Sequence, residues 1–491
     1  MLRAPIGIES LMHRFACVFL FVLVAPATHA AAPAEDVWMS VLLDGRKIGS
    51  MHTTRTLARE RVITTQEMRI ELERAGLKVA LGTSEVDEET RAGVPLRFES
   101  RSKVSGIENV QTGVVREGGK VDITTQVGGA TQSRSIVWPA GALLAEGLRL
   151  AEEKGGLAPG TRYKAVAFQA ENLEAVEVDS LVGTREMIDL PDGRRELIKV
   201  EQTIKLGGAP TRTLSWIEPD QTVKKLVVPM LGYELTMLAC SKACATAPNQ
   251  SSDILVHSLV KSPHALGTQE RAGRLRFSFA ATDTSGEPLQ FARTDEQEAH
   301  STQNRVEVTI APLGTATPAR EDAPTPADRA PNDWLQSSAP EIIKLARQGA
   351  GDAKTPRAQM QALENFVRGY IRTKDLSVGY ASALEVAKNP EGDCTEHAVL
   401  LAALGRALGI PTRVVDGLAY TDAYAGGEHV FVPHAWAQAW VDGHWQSFDA
   451  ALRGFDSGHI ALSVGDGDPW RFYAGFNTLG RLRIESVEAV Q

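Results

Sequence analysis

The chain lacks any excess of positive charge. Lys and Arg number 52 against 61 Asp and Glu, a formal net charge of −9 over 491 residues. No basic field draws in phosphate backbones or anionic membranes, which sets nucleic-acid binding aside. Long apolar runs are missing too, with one exception. Phe15 to Ala25 (FACVFLFVLVA) follows Arg3 and Arg14 and precedes small residues up to Ala32. It is too short to span a bilayer. A basic start, a short apolar centre and a small-residue end predict a secretory signal peptide over residues 1–32, cleaved near Ala30 to Ala32. The mature chain is expected to be exported, periplasmic or secreted, with no transmembrane segment. Nor is the composition skewed: 43% hydrophobic, 23% charged and 6% aromatic residues, with 43 Gly and 24 Pro, exclude collagen, a coiled coil and wholesale disorder.

Cysteine is also scarce. Past the signal, Cys240, Cys244 and Cys394 remain. In an oxidising compartment two thiols tend to pair. Cys240 and Cys244 (CSKAC) can close a small disulfide loop if they sit in a turn, since an extended strand would hold their Cα atoms too far apart. A zinc site would need further His or Cys nearby, and none is present. Cys394 is left over and asks for another role.

What is present divides the chain. From Trp38 to about Met237, short runs of two-residue periodicity alternate with turn signals at Asp44-Gly45, Gly118-Gly119 and Asp192-Gly193. They predict a large antiparallel sheet over 33–250, one that could curl into a half-barrel, with a helical piece at Gly141 to Glu153. A second β segment is expected over 251–311, where Leu275, Phe277 and Phe279, then Val306, Val308 and Ile310, alternate with polar residues. Residues 312–331 carry five prolines without apolar periodicity and read as an extended linker. Beyond it, helices at Ala339 to Gln348, Pro356 to Tyr370 and Asp393 to Leu408 precede strands at Thr412 to Tyr420, Ala435 to Val441 and His444 to Asp449. This order predicts an α+β domain over 332–491, large enough to fold by itself. The fold class expected is therefore multidomain: an antiparallel β region followed by an α+β domain.

The chemistry concentrates in that last domain. Asp393 is an N-cap and Glu396, three residues on, completes a capping box, which starts a helix at Cys394. Leu408-Gly409-Ile410-Pro411 ends it. A cysteine there sees the positive end of the helix dipole, which favours its thiolate, and the first N–H groups can bind an oxyanion. The nucleophile needs a base, and the base an orienting group. If Asp442-Gly443 is a two-residue turn, Val441 faces His444 and paired positions sum to 885. His434 then shares a sheet face with Asp449 and lies diagonal to it. His397 shares a helix face with Cys394 and competes for the role of base, although a capping or exposed histidine is the plainer reading. Trp436 lies on the face of His434. Asp466-Gly467-Asp468 offers oxygens that could take calcium but lacks the spacing of a calcium loop, so a turn is favoured and no cofactor is expected.

Gly392-Asp393-Cys394-Thr395-Glu396-His397-Ala398, the helix through Leu408-Gly409-Ile410-Pro411-Thr412-Arg413, His434-Ala435-Trp436, Trp445 and Phe448-Asp449 together resemble the core of the transglutaminase-like superfamily, relatives of papain-type cysteine peptidases. The resemblance covers roughly Asn332 to Gly480. It implies Cys394 as nucleophile, His434 as base and Asp449 as the residue that orients it. Tyr380, Thr395 and Trp436 are candidates for substrate binding or the oxyanion. The function expected is an exported enzyme that attacks an amide through a thioester, with a protein or peptide of the cell envelope as substrate. Hydrolysis is favoured over Gln-to-Lys cross-linking because amine transfer demands a site that excludes water. A binding module that has kept a catalytic-looking triad is the remaining alternative.

Overall fold

The computed structural model describes residues 34–490 apart from 75–76, 105–106, 128–129, 207–208, 231–232, 251–258, 283–288, 303–304, 313–320, 374–379, 453 and 469–479. The expected signal peptide lies outside the described residues, as does the start of the expected second β segment, 251–258. Among the described residues no helix is long and apolar enough to cross a membrane.

The N-terminal region is one sheet of fifteen strands, β1 (Glu35–Leu43) to β15 (Tyr233–Cys240), in the order β8-β7-β6-β5-β4-β3-β2-β1-β15-β14-β13-β12-β11-β10-β9. The chain starts in the middle and walks outward by hairpins. It then crosses through helix α1 (Ala145–Gly155) and walks back until β15 pairs with β1. Asp44 and Gly45 both take positive φ, 49° and 74°, as a two-residue hairpin of this twist requires. In the β11–β12 hairpin Leu190 pairs with Gly193, so the turn is Pro191-Asp192, one residue earlier than expected. The sheet curls: Phe98 of β5 (Pro95–Val104) meets Phe168 of β10 (Arg162–Gln169) with ring centroids 5.1 Å apart. At the helix end of this core, Glu89 accepts from the N–H groups of Glu146 (2.5 Å) and Gly147 (2.9 Å), so α1 is capped by a buried carboxylate from β4 (Leu77–Thr90). Cys240 closes β15, and the turn after it brings Cys244, in the short helix α2 (Lys242–Ala245), into a disulfide with it across a Cα–Cα distance of 6.0 Å.

Among its described residues the C-terminal region holds two further sheets and five helices, four of them packed around one core. One sheet runs β16 (Val260–Lys261), β21 (Gly427–Val441), β20 (Thr412–Tyr424), β23 (His459–Gly465), with β22 (His444–Phe448) also on β21. The other runs β18 (Gln297–Ser301), β19 (Arg305–Ile310), β17 (Arg274–Ala281), β24 (Leu482–Val490). The short helix α3 (Thr268–Arg271) leads into β17. Helices α4 (Pro340–Ala350), α5 (Pro356–Tyr370), α6 (Ala383–Lys388) and α7 (Cys394–Ala407) pack around α7, which is buried on nearly every side.

Two parts read from sequence as separate are joined to this body. Within 251–311, expected as a second β segment, β17 pairs with β24 and β16 with β21, and Leu275, Phe277 and Phe279 are fully buried in the same core as Leu400 and Phe431. The described part of the proline-rich stretch is tied down as well. Glu321 grips Arg413 at 2.6 Å, and the carbonyl of Ala330 accepts from buried Arg406 at 2.7 Å. An ion pair and a hydrogen bond fasten there a stretch whose prolines alone would favour a free, extended linker.

Candidate active site

Helix α7 begins where the capping box requires. Asp393 accepts from the backbone N–H of Thr395 at 2.9 Å, and Glu396 accepts from that of Asp393 at 2.8 Å. Gly392, at φ +146°, leaves room for the Glu396 side chain, which a Cβ there would strike. Glu396 also accepts from Ala381 N at 2.8 Å. Burial, with Asp393 beside it, pushes Glu396 up to about 8. Cys394 is the first residue of the helix, half-buried against the core and outside the disulfide. The cap changes one expectation: the N–H groups of Thr395 and Glu396 are spent on the Asp393 side chain and are not left for an oxyanion. The Thr395 hydroxyl joins the same cap, 2.9 Å from Asp393.

Helix α7 packs against β21, which carries His434. The turn Asp442-Gly443, both residues at positive φ, pairs Val441 with His444 and Ala437 with Phe448, the register expected from sequence. It delivers Asp449, just past β22, to His434: Nε2 and Oδ2 lie 2.8 Å apart, both side chains buried. An ionised carboxylate can only accept, so Nε2 is the protonated nitrogen and Nδ1 is left on the far side of the ring. Asp449 is fixed from all sides. Its Oδ1 accepts from Ala451 N (2.8 Å) and Leu452 N (3.1 Å), its own N–H reaches Glu364 of α5 (2.9 Å), and its carbonyl takes Arg368 (2.9 Å). Burial works against its charge, but His434 and His459 outweigh it and hold the carboxyl well below the usual range.

Trp436 is buried beside His434, ring centroids 6.2 Å apart, and its indole N–H donates to Ser447 at 3.0 Å. Gly417 opposite His434 makes room for that ring. Tyr380 is buried with its hydroxyl donating to the Gly467 carbonyl at 2.8 Å. His397 is buried rather than exposed, its Nδ1 2.5 Å from the Asp393 carbonyl at the helix start. The Asp466-Gly467-Asp468 stretch is a turn with Gly467 at φ +87°, and the Asp466 carbonyl accepts from Asn332 at 2.8 Å.

Several site residues have no counterpart in the sequence reading. His459 of β23 reaches the same Asp449 Oδ2 at 3.0 Å. Its signal was the Asp456-Ser457-Gly458-His459 turn that follows the motif. Asp295 and Glu296, in the segment before β18, accept from the backbone N–H groups of Trp445 (2.7 Å) and Ser447 (3.0 Å) and cover the outer edge of β22. Burial pushes Glu296 up to about 7. Nothing in a polar run such as Thr294-Asp295-Glu296-Gln297 distinguishes it from a solvated loop. His434, Asp449 and His459 are the described residues close enough together to chelate an ion, with ligand atoms within 4.8 Å of one another, yet the hydrogen bonds between them already account for that approach.

Residues 343–450 match the family model of the transglutaminase-like superfamily. The chain carries a transglutaminase-like domain. The matched stretch holds Cys394, His434 and Asp449, and the match supports a cysteine-dependent enzyme. Three solved structures are loosely similar. A candidate cysteine protease from Cytophaga hutchinsonii is 18% identical, with a TM-score of 0.27, over 44% of this chain and 86% of its own. A β-barrel-like protein from Brucella abortus is 13% identical, with a TM-score of 0.34, over 42% of this chain and 95% of its own. A candidate protease from Parabacteroides distasonis is 12% identical, with a TM-score of 0.20, over 62% of this chain and 71% of its own. No curated protein matches the chain.

Proposed function

We propose that this chain is an exported cysteine hydrolase that cleaves amide bonds in proteins or peptides of the cell envelope. Cys394, as a thiolate, attacks the amide carbonyl. His434 protonates the departing amine, which leaves a thioester on Cys394, and then takes a proton from the water that hydrolyses it. Asp449 holds the His434 ring in the tautomer and orientation both steps need. The observation that carries this reading is the buried 2.8 Å bond between His434 and Asp449, on the strand against which the helix opened by Cys394 packs. The helix dipole supports the thiolate.

The test is a proteomic comparison of cell envelopes from cells carrying the wild-type chain and Cys394→Ala. Peptide termini that depend on Cys394 support hydrolysis. Loss of Gln–Lys-linked peptides in the variant identifies amine transfer instead, and no difference between the two overturns the enzymatic reading.

A further inference from the structure

Asp449 carries a second imidazole. Its Oδ2 lies 2.8 Å from His434 Nε2 and 3.0 Å from His459 Nε2, and the other nitrogen of His459, Nδ1, lies 3.2 Å from Asp456 Oδ1. Nε2 of His459 donates to the Asp449 carboxylate, and Nδ1 faces Asp456, whose carbonyl (3.1 Å), Oδ1 (3.2 Å) and N–H (3.3 Å) all lie within reach; a second carboxylate there favours a proton on Nδ1 as well, which makes the ring a buried cation clamped between Asp449 and Asp456. Burial works against this charge, but Asp449 and Asp456 overcome it and raise His459 to about 9. The surroundings suit a cation: the Phe455 ring is 5.0 Å away, and Trp436 meets the imidazole edge-on at 5.4 Å. Arg271, at the end of α3, holds Asp456 from outside at 3.4 Å. Charges thus alternate outward from His434 through Asp449, His459 and Asp456 to Arg271.

We propose that His459 is a positioning residue of the active site: clamped between Asp449 and Asp456, it fixes the carboxylate that orients His434 and offsets part of that carboxylate's hold on the His434 proton. The inference rests on the roles given above to Cys394, His434 and Asp449. The two imidazole centroids are 5.7 Å apart, close enough for one positive charge to disfavour the other. Shared in this way, Asp449 orients His434 without trapping its proton, as a group that both gives and takes a proton requires. The other charged groups near the pair are Glu296 under Ser447, Glu364 and Arg368 on the backbone of Asp449, and Asp416 of β20 beside Ser463. None of them hydrogen-bonds to either ring, so Asp449 and Asp456 together set the charge of His459.

The pH dependence of Cys394 alkylation by iodoacetamide in the full chain tests this. A lower limb marks formation of the thiolate, and an upper limb marks loss of the His434 proton. Two variants remove the cation by different routes. His459→Gln keeps a donor for Asp449 but no charge, and Asp456→Asn leaves the ring but removes its outer carboxylate. In both, the upper limb is expected to move up by about one pH unit while Cys394 stays more reactive than free cysteine. A folded variant of either kind whose rate falls with its limbs unmoved overturns the inference and leaves the triad standing. A wild-type thiol that reacts like free cysteine overturns the triad itself.

Discussion

In the N-terminal sheet almost every strand pairs with its neighbour in sequence, and β1 with β15 is the one long-range closure among the described residues. In the C-terminal body the pairings that define the core join distant segments, β17 to β24 and β16 to β21. Charge follows the division in part, since the N-terminal region buries Asp87, Glu89 and Glu146 where α1 begins. The sheet carries its ions mostly as exposed cross-strand pairs such as Arg101 with Glu108, which contribute little to stability. The C-terminal body buries Glu296, Glu396, Asp416 and Asp449 outright. Burying a carboxyl costs free energy that apolar packing would not. Such groups persist where a backbone edge, a helix start or an imidazole needs them, and here they gather around Cys394 and His434.

The largest expected effect sharpens this contrast. Cys394→Ala and His434→Ala should each remove nearly all amide-cleaving activity, on the order of 10⁴-fold or more, with the double variant little worse than either single one. Asp449→Asn should cost less, because it disturbs orientation and tautomer rather than the nucleophile. Cys240→Ala in the sheet should leave turnover on a small substrate unchanged. Multiplicative losses in the double variant would show that Cys394 and His434 do not act as a unit.

A truncation can break the comparison outright. Because Leu275, Phe277 and Phe279 fill the C-terminal core, a fragment from Asn332 to Gln491 is expected to be insoluble or molten. One from Leu259 to Gln491 should be folded with a reactive Cys394, as circular dichroism and thiol labelling would record. A soluble, reactive fragment starting at Asn332 would mean that the long-range pairing is dispensable.

The smallest effect concerns Asp416, buried with Ser463 as its hydrogen-bond partner and pushed by that burial to about 8. A carboxyl whose folded pKa is raised stabilises the fold relative to its ionised form below its unfolded value. That advantage is lost as pH rises from about 4 through about 8. Asp416→Asn should therefore raise Tm by a few degrees at pH 9 and change it little at pH 5. An equal shift at both pH values would mean that ionisation of Asp416 plays no part.

How much of this was legible in sequence follows from the range of the interactions. Asp442-Gly443 sets the β21–β22 register within a few residues, so the His434–Asp449 approach could be deduced before any coordinates. The capping box and Gly409 bounded α7 to within a residue. Alternation at Leu275, Phe277 and Phe279 revealed a strand but not its partner, since β24 lies some two hundred residues on and leaves no local trace. The prolines of 312–331 hid the clasp of Glu321 on Arg413 for the same reason. One histidine already satisfies the motif, and only the fold shows that Asp449 serves two.

The central claim is that Cys394 is a nucleophile activated by His434. Its most direct test is the rate of iodoacetamide alkylation of Cys394 at pH 6, read by mass spectrometry, in the wild type and His434→Ala. The account predicts a wild-type thiol at least about tenfold faster than free cysteine, with that advantage lost when His434 is removed. A wild-type rate equal to that of free cysteine, or a rate indifferent to His434, would contradict it.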